Sequence, residues 1–250
     1  MIKSLRRIRI LTGRNLKEII RDPLSLIFTI LMPLFMEILF YFLFHGKTDQ
    51  FEMKYLAPGI VAFAQSFLAL FTGILISVDR GTSFLTRLYV SETRSYEFIF
   101  SYAIAVLPIA LVQAVLFFAV GGIIDRSVFC VGVLAAIPLS IVSALFFIAF
   151  GILLGSVCSE KAIGGVASVI ISGQSLLSGM WFPNKGLNPV MVKVMDALPF
   201  KNTAILIRNP VSGINNAWND FFLPLIIVLG YAAAVLTIAV LIFSKKMKKN

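Results

Sequence analysis

The chain has 250 residues, 59 % of them hydrophobic and 14 % charged, with 22 Lys and Arg against 12 Asp and Glu and a mean hydropathy of +0.95. Soluble domains carry about a quarter charged residues, so this composition excludes an ordinary water-soluble domain. Six apolar windows of roughly 20 residues are each long enough to cross a hydrocarbon core of about 30 Å. The expected fold is all-α: a polytopic membrane protein with six transmembrane helices near residues 24–44, 57–78, 98–121, 130–154, 162–180 and 221–243.

The first element, residues 2–22, has a helical period. At about 100° per residue, Leu5, Ile8, Leu11, Leu16, Ile19 and Ile20 fall on one arc. Lys3, Arg6, Arg7, Arg14, Lys17 and Arg21 fall opposite, with Ile10 the one apolar intruder. A basic amphipathic helix of this kind lies in the membrane interface, its cations towards anionic headgroups. It is either a passive anchor or a lateral strut that meets a partner while resting on lipid. Its long basic run, with no small-residue cleavage pattern behind it, does not read as a cleaved signal peptide. Pro23 then disfavours helix at Asp22 and the first span begins.

That span carries Glu37. A carboxylate at such depth costs about 2.5–3.5 kcal/mol on insertion scales, so it is expected to be protonated, paired or facing water. Glu37 is a candidate pathway or proton-linked group, and Gln65 and Gln174 join it as pathway candidates. Gln65, Gln113 and Gln174 are its candidate internal partners. The alternative is a plain polar contact between helices.

Between the second and third windows the chain turns polar over "DRGTSFLTRLYVSETRSYEF", residues 79–98. It carries both signs of charge yet keeps a helical apolar pattern at Phe84, Leu85, Leu88 and Tyr89. An ordinary loop would be shorter or richer in glycine and proline. This one reads as an ordered polar bracket at the membrane edge.

The fourth window contains "GILLG", Gly151 to Gly155, a small-xxx-small spacing that permits close helix approach. Cys130 and Cys158 fall near its two ends, roughly 40 Å apart at 1.5 Å per residue, too far for a disulfide. Pro33, Pro108, Pro138 and Pro224 lie in spans, where neighbouring helices accommodate them. No sequence repeat relates the two halves, which argues against an inverted-repeat secondary transporter.

Residues 181–220 are long for a membrane-protein loop and too apolar for a solvated tether. "PVMVKVMDAL" and "FKNTAILIRN" each fit a short helix, with Pro189 and Pro199 as start or break signals. The expectation is two short helices that re-enter from the outer face, with Phe182, Pro183, Pro199 and Arg208 as the residues of interest. Trp181 and Trp218 at the ends suit the interfacial belt.

Charge sets the orientation. Seven Lys/Arg lie in residues 2–22, three in 79–97 and four in the tail, against two in 45–56, one at Arg126 and four in 181–220. The positive-inside bias therefore assigns both termini and the 79–97 bracket to the cytoplasm. No G-x-x-x-x-G-K-[ST] loop occurs, and His45 is the one histidine, so neither nucleotide binding by that route nor a histidine–cysteine metal site is expected. No activated Ser or Cys nucleophile stands out either. The chain reads as a conduit or scaffold driven by something else.

Three stretches in order, "RDPLSLIFTILMP", "DRGTSFLTRLYVSETRSYEF" and "LLSGMWFPNKGLNPVMVKVMDALPFKNTAILIR", resemble the ABC-2-type permeases, the transmembrane subunits of prokaryotic ATP-binding-cassette exporters, in their drug/multidrug-efflux-like branch. Arg80, Gly81, Thr82, Leu88, Ser91 and Glu97 match the family's first cytoplasmic loop in kind and spacing. Glu92 departs from it, standing where the family often has proline. The resemblance implies a single permease domain over 1–250, with a connecting helix at 1–23, a coupling loop at 79–97 and an extracellular re-entrant segment at 181–220. Residues 80–90 would form a coupling helix docked on a separate ATPase. Phe84, Leu85 and Leu88 would grip it and Arg80 and Arg87 would make rim contacts, within a contact set completed by Gly81, Thr82, Ser91 and Glu92. It further implies two permeases and two cytoplasmic ATPases per transporter, with ATP and Mg on the ATPases and no cofactor in this chain. The site would be the inner membrane of a prokaryote, the activity export of an apolar or amphipathic drug, lipid or peptide. A proton-coupled carrier using Glu37 and a non-transporting scaffold are the alternatives.

Overall fold

The computed structural model describes residues 2–82, 94–181 and 187–249, and these are helical, with no strand among them. Helix α1 (Ile2–Ile20) ends where Asp22 leaves helical geometry ahead of Pro23 and caps the next helix, its Oδ1 accepting from Ser25 N–H at 3.3 Å. Pro at the first helical position costs nothing there, because that N–H has no partner in the helix anyway. Helix α2 runs Pro23–Phe44, with a π-helical turn at Ile27–Leu31. Then follow α3 (Met53–Gly81), α4 (Ser95–Ile124), α5 (Val131–Val157) and α6 (Glu160–Leu177). Two short helices, α7 (Pro189–Ala197) and α8 (Pro199–Ser212), precede α9 (Leu223–Lys249).

Five of these helices are long and apolar enough to cross a membrane: α2, α3, α4, α5 and the stretch Trp218–Lys245 that contains most of α9. The window at 162–180 is the one that falls short of expectation. Its helix, α6, has 18 residues, opens on Glu160 and Lys161, and is diluted by glycine, serine and Gln174. At 1.5 Å per residue it is about 27 Å long, close to the hydrocarbon thickness.

Helix α3 is the axis of the bundle, the most buried of the apolar helices, whereas α2 and the last helix are the least buried. Its tightest neighbour is α5, and the reason is the glycine pair of "GILLG". A Cβ on Gly151 would stand 2.6 Å from the Ala69 carbonyl oxygen, and one on Gly155 would stand 2.7 Å from Ile76 Cβ. Only the missing side chains let the two backbones meet. The same holds at Gly132, where the start of α5 lies directly on the Pro210 backbone of α8.

Phe98 at the start of α4 stacks on Phe243 near the end of α9, with ring centroids 4.9 Å apart. Ile19 of α1 belongs to the same apolar cluster. Helix α1, the start of α4 and the end of α9 therefore share one end of the bundle, called proximal below. At the opposite, distal end, Phe40, Phe51, Phe63 and Trp181 form an aromatic cluster, with Phe40 and Trp181 centroids 4.5 Å apart. Trp181 donates from Nε1 to Ser175 Oγ at 2.8 Å. Of the two tryptophans expected at an interface, Trp218 is exposed and Trp181 is half-buried against the distal core. Cys130 and Cys158 are free thiols.

The amphipathic arc of α1 divides in the structure. Leu11, Leu16 and Ile19 turn inward onto the core, whereas Leu5 and Ile20 stay exposed, as does Ile10. The inward face is polar as well as apolar, because it meets the ends of α3 and α4 rather than lipid alone.

Candidate functional site

The polar groups of the proximal end converge on Asp79, in the last turn of α3 and 2 % exposed. Arg14 of α1 grips its carboxylate with both terminal nitrogens, Nη1 on Oδ2 and Nη2 on Oδ1 at 2.6 Å. The Tyr102 hydroxyl of α4 donates to the same Oδ2. Burial works against the charge on Arg14, but the hydrogen bonds and charge of Asp79 outweigh it and hold the guanidinium more firmly protonated than usual. Around this pair, Asn15 Nδ2 donates to Ser101 Oγ at 3.2 Å, and Thr12 Oγ1 to the Ser101 carbonyl at 3.3 Å. Arg14 also faces Glu18 at 2.9 Å, one turn along α1.

Glu97 closes the start of α4. Its Oε2 accepts from the Arg94 N–H at 3.0 Å, satisfying that backbone donor ahead of the helix, and lies 3.7 Å from Arg7 of α1. Arg80 turns away from solvent: Nη1 donates to the carbonyls of Gly155 at 2.6 Å and Cys158 at 3.2 Å, at the end of α5. Basic side chains bond the free carbonyls of a helix C-terminus and complement its dipole there. Arg80 was expected as a rim contact for a partner; the structure commits it internally. Thr82 donates from Oγ1 to the Asp79 carbonyl at 2.9 Å and ends α3. Gly81 has open space around its Cα. Phe84, Leu85, Arg87, Leu88, Ser91 and Glu92 lie outside the described residues. Both roots of that stretch, Asp79–Thr82 and Arg94–Glu97, are thus tied to α1, and Arg80 adds a tie to α5.

The three intramembrane polar candidates do not meet. Gln65 donates from Nε2 to the Ser140 carbonyl at 2.8 Å, joining α3 to α5. Gln174 of α6 accepts from Thr203 of α8 at 3.4 Å. Gln113 donates to the carbonyls of Thr29 at 2.8 Å and Ala64 at 3.3 Å. None of the glutamines expected as partners of Glu37 reaches it. Glu37 is fully buried, and neither carboxyl oxygen has a hydrogen-bond partner among the described residues. Its Oε1 lies against Gly121 of α4, where a Cβ would come within 3.0 Å.

At the distal end the two short helices fall where the prolines placed them. They are clipped together by the Lys201–Asp196 ion pair and by Asn202, which donates to the Asp196 carbonyl at 2.9 Å and the Leu198 carbonyl at 2.7 Å. Pro199 opens α8 and is buried. The α8 helix is the deeply packed one, with Thr203, Leu206 and Ile207 fully buried, whereas Val190, Met191 and Val194 of α7 are exposed. Arg208 of α8 is partly exposed and lies against Gly59 of α3. Phe182 and Pro183 lie outside the described residues. Asp79, Arg14 and Tyr102 carried no sequence motif. The one available signal was an acid, a base and a phenol each near the same membrane boundary.

A bundle of apolar helices with lipid-type outer faces and an ion-paired proximal corner defines a multi-pass membrane protein. Residues 6–211 match the ABC-2 type transporter family, from α1 through all but the last residue of α8, so the chain belongs to that family and is an ABC permease subunit rather than a catalytic domain. Members of the family pair with ABC ATPase subunits. No curated protein matches the chain.

Proposed function

We propose that this permease is an ATP-driven exporter whose coupling element is the stretch between Thr82 and Arg94. The observation that carries this reading is the anchoring of both roots. A force on that stretch reaches α1 through Asp79–Arg14 and Glu97–Arg7, α4 through Asp79–Tyr102, and α5 through Arg80. A ligand-driven change needs contacts that differ between two states, and such ties let a partner's closure bias the helices. ATP and Mg bind two cytoplasmic ATPases, Phe84, Leu85 and Leu88 grip them, and Arg87 takes the rim role that Arg80 does not fill. Two copies of the permease, or this chain and a paralogue, enclose the pathway in the inner membrane of a prokaryote, both termini in the cytoplasm. Helix α6 is the sixth span, with Gly173 and Gln174 facing protein, and α7 and α8 form the re-entrant segment outside. The cargo is apolar or amphipathic.

The test is affinity purification of the tagged chain from its native membrane in mild detergent, with an assay of vanadate-sensitive ATP hydrolysis. The expected result is a stoichiometric P-loop ATPase, with hydrolysis uncoupled from transport by Arg87→Glu at unchanged expression. A chain that purifies alone without ATPase activity overturns the reading. The buried carboxyl of Glu37, unpartnered among the described residues, favours one second reading, a proton-coupled carrier. In that case flux follows an imposed proton gradient without ATP and is lost in Glu37→Gln.

A further inference from the structure

Arg208 is a cation with no anion beside it among the described residues. Its Nε and Nη2 are buried and have no hydrogen-bond partner there, and an arginine keeps its charge under physiological conditions. Nη2 lies against the Cα of Gly59, where an added Cβ would be 3.1 Å from it and 2.7 Å from Met180 Cγ. The guanidinium therefore occupies a notch that exists because α3 has no side chain at that position. Four acids of the distal end are engaged elsewhere: Glu52 with His45, Asp196 with Lys201, Asp220 with the N–H groups of Asn215 and Asn216, and Asp125 with the N–H of Ser127. Glu37 touches the opposite face of the same helix, beside Ala57 and Met53 through Gly121. Ala57 and Gly59 stand about 200° apart around α3, so the two charges cannot meet.

Two of the three Arg208 guanidinium nitrogens are thus withdrawn from water although the residue keeps some exposure, and buried donors without a partner are unfavourable unless an anion completes them. The guanidinium donors match the two oxygens of a carboxylate or phosphate. The surroundings supply the other half of the preference. Met180, Ile207 and Val211 belong to the apolar cluster of the distal end. We propose that the Arg208 notch is a binding site for the oxyanion of an amphipathic molecule, its phosphate or carboxylate on the guanidinium and its apolar part along the distal cluster. This rests on reading the chain as a conduit, and it makes anionic amphiphiles the favoured cargo class.

Trp181 follows Met180 in the chain and is one of two tryptophans, so in a Trp218→Phe background its fluorescence reports on the notch. The probe is dodecyl phosphate, titrated into the full chain in phosphatidylcholine nanodiscs, with dodecyltrimethylammonium and inorganic phosphate as comparisons. The expected result is a saturable Trp181 signal with dodecyl phosphate alone. Arg208→Gln should raise the half-saturation point about tenfold or more, the loss of one charge-assisted pair, whereas Arg208→Lys should move it less. Discs containing phosphatidylglycerol separate the sources. A competed signal assigns the site to a bilayer headgroup; an unchanged one assigns it to a soluble anionic amphiphile.

Wild-type titration by Arg208→Gln, or equal saturation by inorganic phosphate, overturns the proposal. Should Arg208→Gln fail to fold, Arg208→Lys and Gly59→Ala decide, since the added methyl crowds both Nη2 and Met180. Wild-type behaviour of both again overturns it. The titration needs no ATPase, so a chain that purifies without one defeats the exporter reading and leaves this result standing.

Discussion

Asp79 shows how one side chain organises an end of this membrane protein. Its two oxygens receive a guanidinium from α1 and a phenol from α4, so three helices depend on one carboxylate. Removing one partner of a fully buried ion pair costs about 3–5 kcal/mol. Arg14 keeps 34 % of its side chain exposed, so solvent screens the pair, and about 1–3 kcal/mol is the expected loss for Asp79→Ala. Arg14→Ala and the double variant should each cost little more than Asp79→Ala alone, because the same interaction is removed each time. Melting temperatures of the detergent-solubilised variants check this; strictly additive losses would refute the coupling. Tyr102→Phe, which leaves the ring in place, should lower the melting temperature less than Asp79→Ala does.

At the scale of elements, the α3–α5 contact is a close backbone approach that depends on two absent side chains. Alanine at Gly151 or Gly155 must push the backbones apart, and overpacking of this kind costs about 1–3 kcal/mol. Gly164 and Gly165 of α6 have nothing within 4 Å of an added Cβ. Alanine at either of them should instead gain about 0.5–1 kcal/mol from helix propensity. The melting order Gly164→Ala above wild type above Gly151→Ala is the prediction. A Gly151→Ala protein as stable as wild type would show that α3 and α5 are not in backbone contact.

At the scale of the molecule, the number of passes and their direction follow from which ends are exposed to which compartment. In a Cys130→Ser, Cys158→Ser background, single cysteines at Ser127, Ser159 and Lys193 occupy exposed positions between helices or on α7. With six passes and a cytoplasmic proximal end, a membrane-impermeant maleimide labels Ser127→Cys and Lys193→Cys in intact cells. Ser159→Cys labels only after permeabilisation. Labelling of Ser159→Cys in intact cells would reverse the orientation, and protection of Lys193→Cys would remove α6 as a span.

Much of the architecture was legible along the chain, because each helix is specified by its own residues. A run of apolar side chains long enough for the bilayer, bounded by prolines and charges, defines a span without reference to anything distant. That is why α2 to α5 and α9 fall where hydropathy put them, and why Pro189 and Pro199 mark the two short helices. Helix α6 was drawn as apolar as the rest, yet its charges and small residues are local facts whose meaning depends on what packs beside them. The pairing of side chains was not legible at all. Glu37 was matched with three glutamines that find other partners, Gln65 and Gln113 on backbone carbonyls and Gln174 on the Thr203 hydroxyl, and Arg80 was turned outward when it faces α5. The "GILLG" spacing announced a close contact without naming α3 as the partner. Sequence fixes periodicity and length, which are properties of one segment. Which face of α1 meets which end of α4, and so where Asp79 finds Arg14 and where Arg208 finds no acid among the described residues, is settled only when the helices pack against one another.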